Sequence, residues 1–171
     1  MIVEKATTIQ SSSILSENGL YRYKLVRKWD EFKPGATIVM LNPSKADMLI
    51  TDRTIMNVTN FLVRNGYGSL SVVNLFAFRA TDPKELKNRD DRFESLNDEY
   101  LTEAFNDAEV IIVAWTRDKF KSRKREVEKM LESFAGKIKC FSDSNGKKPR
   151  HPRDLGEDWL LVDYEFEHQK A

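Results

Sequence analysis

Three short segments carry the side chains best suited to chemistry: Asn42-Pro43-Ser44, Asn74 through Arg79, and the loop around His151. Asn42 and Ser44 stand where the apolar run Ala36–Leu41 stops. Pro43 stiffens the turn, and its missing N–H ends any strand ladder there. A carboxamide or hydroxyl held at such a point orients a water or a ligand carbonyl. The competing reading is an Asx or Ser turn that caps the next segment. Asp47 and Asp52 follow. Either acts as a general base if partly buried, and Asp52 reads first as a helix cap.

Asn74 interrupts an apolar strand between Val73 and Leu75. A buried amide needs partners for two donors and an acceptor, which a nucleobase edge or neighbouring backbone can supply. Phe76 and Phe78 follow, to stack on a planar ligand or to pack in the core. Arg79 binds an anion or pairs with Asp82. His151 sits between Pro149 and Pro152 among Lys147, Lys148, Arg150 and Arg153. A restrained histidine in a positive field suits contact with an oxyanion or phosphate. The competing reading is an exposed loop histidine without a role.

The elements that must hold these residues alternate in kind. Leu20–Arg27 alternates as a half-buried strand, with Tyr21, Tyr23 and Leu25 on one face and Arg22 and Lys24 on the other. Ala36–Leu41, Ser69–Phe76 and Glu109–Trp115 are buried strands. Asp52–Asn65 is an amphipathic helix, with Ile55, Val58 and Leu62 on one face and Gly66 at its end. Asn97–Asn106 and the basic segment after Phe120 are further helices. Ile138–Phe141 and Trp159–Phe166 are the last strands. Such alternation implies βαβ units. The expected fold is a three-layer α/β/α sandwich with a mainly parallel central sheet. Residues 1–19 form a polar, partly flexible segment or an edge strand, and residues 20–171 a single domain. Ligands of such sheets bind beyond the carboxyl ends of the strands. Asn42-Pro43-Ser44, Asn74, Trp115-Thr116 and the His151 loop therefore converge on one edge.

Composition narrows the classes. One cysteine, Cys140, excludes an internal disulfide framework and points to a reduced, cytoplasmic setting. His151 and His168 are too few for an imidazole-based metal site. No apolar run reaches membrane-span length. The net charge of +1 argues against a global basic field. Charge is unevenly spread, however: Arg117–Lys129 and Lys137–Arg153 are basic, Asp82–Glu109 acidic. That division suits a phosphate-bearing ligand, or simply solvated faces. Walker, Gly-x-Gly-x-x-Gly, Gly-x-Ser-x-Gly and His-Glu-x-x-His patterns are absent, and no cofactor is expected.

The motifs also support a resemblance. Met40-Leu41-Asn42-Pro43-Ser44-Lys45-Ala46-Asp47, Gly66-Tyr67-Gly68, Val73 through Pro83, Asn97-Asp98, Ala114-Trp115 and Pro149-Arg150-His151-Pro152 resemble the bacterial and phage family called domain of unknown function 1643. The likeness runs from about Tyr21 to Leu155, with Thr116 where glycine is expected. The motif order is more distantly similar to the uracil-DNA glycosylase superfamily. Asn42-Pro43-Ser44 resembles its water-positioning loop, Asn74 through Pro83 its base-reading strand, and His151-Pro152 its final loop. Met40-Leu41 stands where that superfamily has glycine, and Arg153 where serine is common. The resemblance implies that Asn42 positions water, Asn74 reads the base edge and His151 meets the charge on the departing base.

The resulting expectation is a protein that recognises a nucleobase or nucleotide, a DNA base glycosylase that hydrolyses an N-glycosidic bond. The candidate catalytic residues are Asn42, His151 and Asp47. The candidate binding residues are Pro43, Ser44, Asn74, Phe76, Arg79, Trp115, Lys147, Lys148 and Arg150. The alternatives are a non-catalytic nucleic-acid- or nucleotide-binding module with the same pocket, and a hydrolase of a free nucleotide-like metabolite.

Overall fold

A computed structural model describes residues 1–116 and 119–166. The basic residue Arg117 and the histidine His168 lie outside the described residues. One mixed sheet of seven strands runs through the molecule in the order β1-β2-β4-β3-β5-β6-β7. The strands are β1 (Gln10–Leu15), β2 (Arg22–Lys28), β3 (Gly35–Met40), β4 (Ser69–Asn74), β5 (Val110–Val113), β6 (Ile138–Ser142) and β7 (Leu160–Asp163). The helices are α1 (Arg53–Arg64), α2 (Asp91–Glu94), α3 (Asn97–Asn106) and α4 (Lys121–Leu131).

The central strands β4, β3, β5 and β6 pair in parallel. The outer pairings, β1 with β2, β2 with β4 and β6 with β7, are antiparallel. The expectation of a mainly parallel sheet is therefore corrected to a mixed one. The cause lies in the connections. A parallel neighbour needs a long crossover, normally a helix. The β1–β2 turn is too short for one, and the segment from β6 to β7 holds only a single 3-10 turn, Pro152–Asp154.

Helix α1 forms because Ile55, Val58 and Leu62 recur at helical spacing and bury against Ile38, Met40, Val72 and Ile112. Burial of each such side chain is worth about 1.5–3 kcal/mol. Asp52 caps the helix as expected, its side chain accepting from the Ile55 N–H. Leu101, Ala104 and Phe105 of α3, with Val127 and Leu131 of α4, cover the opposite face of the sheet over Val39, Val73, Ile111 and Val113. Cys140 is buried in this second core. No helix of the described residues is long and apolar enough to cross a membrane.

The alternation along β2 breaks at its start. Ile14 pairs with Lys24 but Leu15 with Arg22, so Tyr23 is an extra residue and the register shifts. The two sides of the bulge have different contacts. Leu25 belongs to the α1-side core. Lys24 reaches Glu103 of α3, and Tyr23 stacks on Tyr100 of the same helix. A bulge of this kind re-aims the next side chain. Arg22 is thereby turned to the α1 side, where its Nη1 donates to the carbonyl of Ala46. The expected solvent-facing placement of Arg22 is overturned: it is 2% exposed.

Candidate functional site

A cleft of about 480 Å³ opens at one edge of the sheet. It lies within the usual range of small-molecule sites, about 300–1,000 Å³. Its walls come from the exit of β3 (Met40, Leu41, Asn42, Ser44), the segment after β4 (Ala80, Thr81, Pro83) and the exit of β5 (Trp115, Thr116). The start of α1 and the loop after β6 (His151, Arg153) complete it, with Arg22 at the start of β2. Because β2 is antiparallel to β4, its first residue lies at the edge where the parallel strands end. The cleft thus lies beyond the carboxyl ends of the parallel strands, the edge where such sheets bind ligands.

Asn42 both builds and lines the site. Its Nδ2 donates to the carbonyls of Pro43 at 3.0 Å and Ala80 at 2.7 Å. Both N–H groups are thus spent on the loops, and Oδ1 remains as an acceptor. The Pro43 carbonyl also accepts from the Ala80 N–H at 3.0 Å, so Pro43 itself braces the two loops rather than lining the cleft. Ser44 lines the cleft and donates through Oγ to Asp52 Oδ2 at 2.6 Å.

His151 caps the short turn Pro152–Asp154, its Nδ1 accepting from the Arg153 N–H at 3.2 Å. An accepting Nδ1 places the ring proton on Nε2 in the neutral form. Burial pushes the His151 pKa down, Asp52 opposes this and Arg153 adds to it. The ring is therefore neutral at pH 7, with an N–H to donate.

The remaining candidates divide. Trp115 lines the cleft and packs edge-on against Tyr164, with ring centroids 6.1 Å apart. The carbonyl of its neighbour Thr116 accepts from Lys124, tying the β5 exit to α4. Asn74 does not line the cleft. It is 1% exposed, sits beside Met40 in the sheet, and neither atom of its side-chain amide meets a partner among the described residues. Its backbone carbonyl accepts from Asn97 Nδ2 at 2.9 Å. Phe76 belongs to the α3–α4 core, edge-on to Phe120. The guanidinium of Arg89 lies 4.2 Å from its ring centroid.

Asp47 lies outside the cleft lining, and its Oδ1 accepts from the N–H groups of Leu49 and Ile50. Those backbone bonds, that of Ile50 first, hold its pKa below the usual carboxylate value, which suits a loop brace better than a base. Arg79 lies on an adjoining depression and donates to the Gly19 carbonyl at 3.3 Å. Lys148 pairs with Glu165 at 2.6 Å and Arg150 with Asp143 at 3.1 Å. Lys147 is exposed, its backbone N–H bonded to Asp143. None of these three lines the cleft.

Arg22 is the functional candidate that the sequence pattern hides. Its signal, a cation at the start of a strand with buried neighbours, is cancelled by an alternation that places it outside. Only the bulge at Tyr23 reverses that placement. Burial, with Arg79 nearby, lowers its pKa to about 10, and Asp52 and Asp47 work in the other direction. It remains a cation at neutral pH.

These features define a mixed α/β domain with a polar cleft at the carboxyl ends of its parallel strands. The chain belongs to the protein family of unknown function DUF1643, which matches residues 22–153. No curated protein and no solved structure matches it significantly.

Proposed function

We propose that this cleft receives a nucleobase and that the chain hydrolyses its N-glycosidic bond, acting on DNA that carries a modified or deaminated base. The observation that carries the reading is the placement of Asn42 and His151 on the walls of one cleft, with complementary capacities. Asn42 offers an acceptor oxygen fixed by two loop bonds. His151 offers a neutral ring N–H. Helices on both faces of a sheet with a parallel centre also support a three-layer arrangement like that of the uracil-DNA glycosylase superfamily.

The chemistry follows from those groups. The bond between the sugar C1′ and the base nitrogen breaks, and its electron pair leaves with the base. A water held by Asn42 Oδ1 adds its oxygen to C1′ and gives up a proton to solvent. His151 Nε2–H donates a hydrogen bond to the anionic base, which then takes a proton from solvent. A preorganised donor acts where charge develops, which is the most effective use of such a group. A base inside a duplex reaches the cleft only when flipped out of the stack.

The test is base release from single-stranded and duplex DNAs carrying uracil, hydroxymethyluracil and other modified bases. Release by the wild type, abolished in Asn42→Ala with binding retained, supports the reading. No release from any substrate ends the hydrolase reading. Salt-dependent DNA binding without turnover, weakened on removing Lys147 or Lys148, then identifies a binding module.

A further inference from the structure

Arg22 has features that a purely structural arginine lacks. It is the one buried charge among the residues that line the cleft. Nη1 is bonded to the Ala46 carbonyl, whereas Nε is buried without a partner among the described residues. No carboxylate of the described residues lies within ion-pair distance of it. Buried charges are ordinarily paired, because an uncompensated one is costly to hold out of water. The bulge at Tyr23 spends strand register to aim this cation at the cleft.

A second feature of the same cleft points the same way. Arg53, Thr54 and Ile55, the first turn of the twelve-residue helix α1, line it. A helix leaves its first N–H groups without internal acceptors and carries partial positive charge at that end. The Asp52 cap takes only the Ile55 N–H, which leaves those of Arg53 and Thr54. Arg153, on the turn packed beside α1, adds a further cation to the lining. The acid in the lining is Asp52, whose two oxygens are engaged by Ile55 and Ser44. A guanidinium and a helix N-terminus on the lining of one cleft have the chemistry of a phosphate receptor.

We infer that the cleft binds a phosphomonoester, held between the Arg22 guanidinium and the first-turn amides of α1, so that the ligand is a phosphorylated nucleotide or a phosphorylated strand end. The identity of the phosphate carrier rests on the nucleobase reading above; the phosphate site itself does not. A phosphomonoester carries more charge than an internal diester and can enter a cleft that a continuous strand must lie across.

The test compares affinities of the full chain for deoxyuridine, its 5′-monophosphate, inorganic phosphate, and one oligonucleotide with either a 5′-phosphate or a 5′-hydroxyl. The monophosphate should bind about tenfold or more tighter than the nucleoside, since charged hydrogen bonds carry the difference. That preference should vanish in Arg22→Met and grow severalfold in Asp52→Asn, which keeps the cap and removes the opposing charge. Whether the free nucleotide or the phosphorylated oligonucleotide binds better identifies the carrier.

Equal binding of nucleoside and monophosphate overturns the inference and leaves the nucleobase reading intact. Arg22-dependent binding of inorganic phosphate and of the monophosphate with equal affinity, with no binding of deoxyuridine or of the 5′-hydroxyl oligonucleotide, upholds it and removes the nucleobase reading. If Arg22→Met does not fold, Asp52→Asn decides: unchanged or weaker monophosphate binding overturns the inference.

Discussion

The Nδ2 of Asn42 donates to the carbonyl of Ala80 across 2.7 Å, so the loop leaving β3 is fastened to the segment that follows β4. The same amide group braces Pro43, and the Pro43 carbonyl takes the Ala80 N–H in return. The residue proposed to hold water therefore also fixes the two walls that frame the water.

Asn42→Ala tests both duties at once. Two carbonyls lose a donor, and each lost hydrogen bond costs about 0.5–1.5 kcal/mol. Urea denaturation should show a loss of about 1–2 kcal/mol, and base release should disappear. Unchanged stability would mean that the loops hold without this bridge.

Arg22→Met separates stability from function. Replacing a buried charge with an apolar side chain of similar length removes a burial cost that offsets the lost bond to the Ala46 carbonyl, and strands no carboxylate of the described residues, since none lies within ion-pair distance. The variant should melt no lower than the wild type at pH 7 while losing ligand affinity. A melting temperature several degrees lower would show that the bond to Ala46 is what the fold needs from Arg22.

Much of this arrangement is legible in the sequence where one physical rule dominates. Ile55, Val58 and Leu62 announce α1, and Asp52 announces its cap, because helical period and capping are local. The convergence of Asn42, Trp115 and His151 follows from the ends of parallel strands. The hidden parts depend on longer-range geometry. No local pattern marks Tyr23 as a bulge, so the face of Arg22 is misread. Nor does the sequence show that Asn74 turns into the interior beside Met40 rather than onto the cleft wall. Phe76 reads equally well as a stacking platform and as the core residue it is, since both demand an aromatic at a strand exit.

Asn74→Leu addresses that interior amide. Neither its oxygen nor its nitrogen is compensated by the described residues, and a buried polar group left so costs about 1–3 kcal/mol. The substitution should raise stability in chemical denaturation. A clear loss would sink the claim that the amide is uncompensated within the fold.

Glu94→Ala should do the opposite. The Glu94 carboxylate accepts from the N–H groups of Ala77 at 3.0 Å and Phe78 at 2.9 Å, just beyond β4. Removing it strands two donors where the chain leaves the sheet, at about 1–3 kcal/mol each. Hydrogen exchange at Ala77 and Phe78 should accelerate markedly, while the amides of β3 stay protected. Equal acceleration throughout the sheet would instead indicate global unfolding rather than local release of this segment.

The neutral state of His151 gives a pH dependence with a defined sign. Its folded pKa lies below the ordinary value of 6.5, chiefly through burial. The unfolded chain therefore binds the proton more readily than the fold. The histidine's contribution is complete above about pH 6.5 and is lost as pH falls toward the lowered folded value. Protonation has a structural reason to be resisted, since a protonated Nδ1 can no longer accept from the Arg153 N–H. His151→Asn keeps a capping side chain without a titrating one. Denaturation curves between pH 7 and pH 5 should lose part of their acid slope in this variant. In the wild type, the ring resonances of His151 should titrate below 6.5. Titration at or above 6.5, with an unaltered slope in His151→Asn, would mean that the ring is not held neutral and that its Nε2–H is not reserved for the cleft.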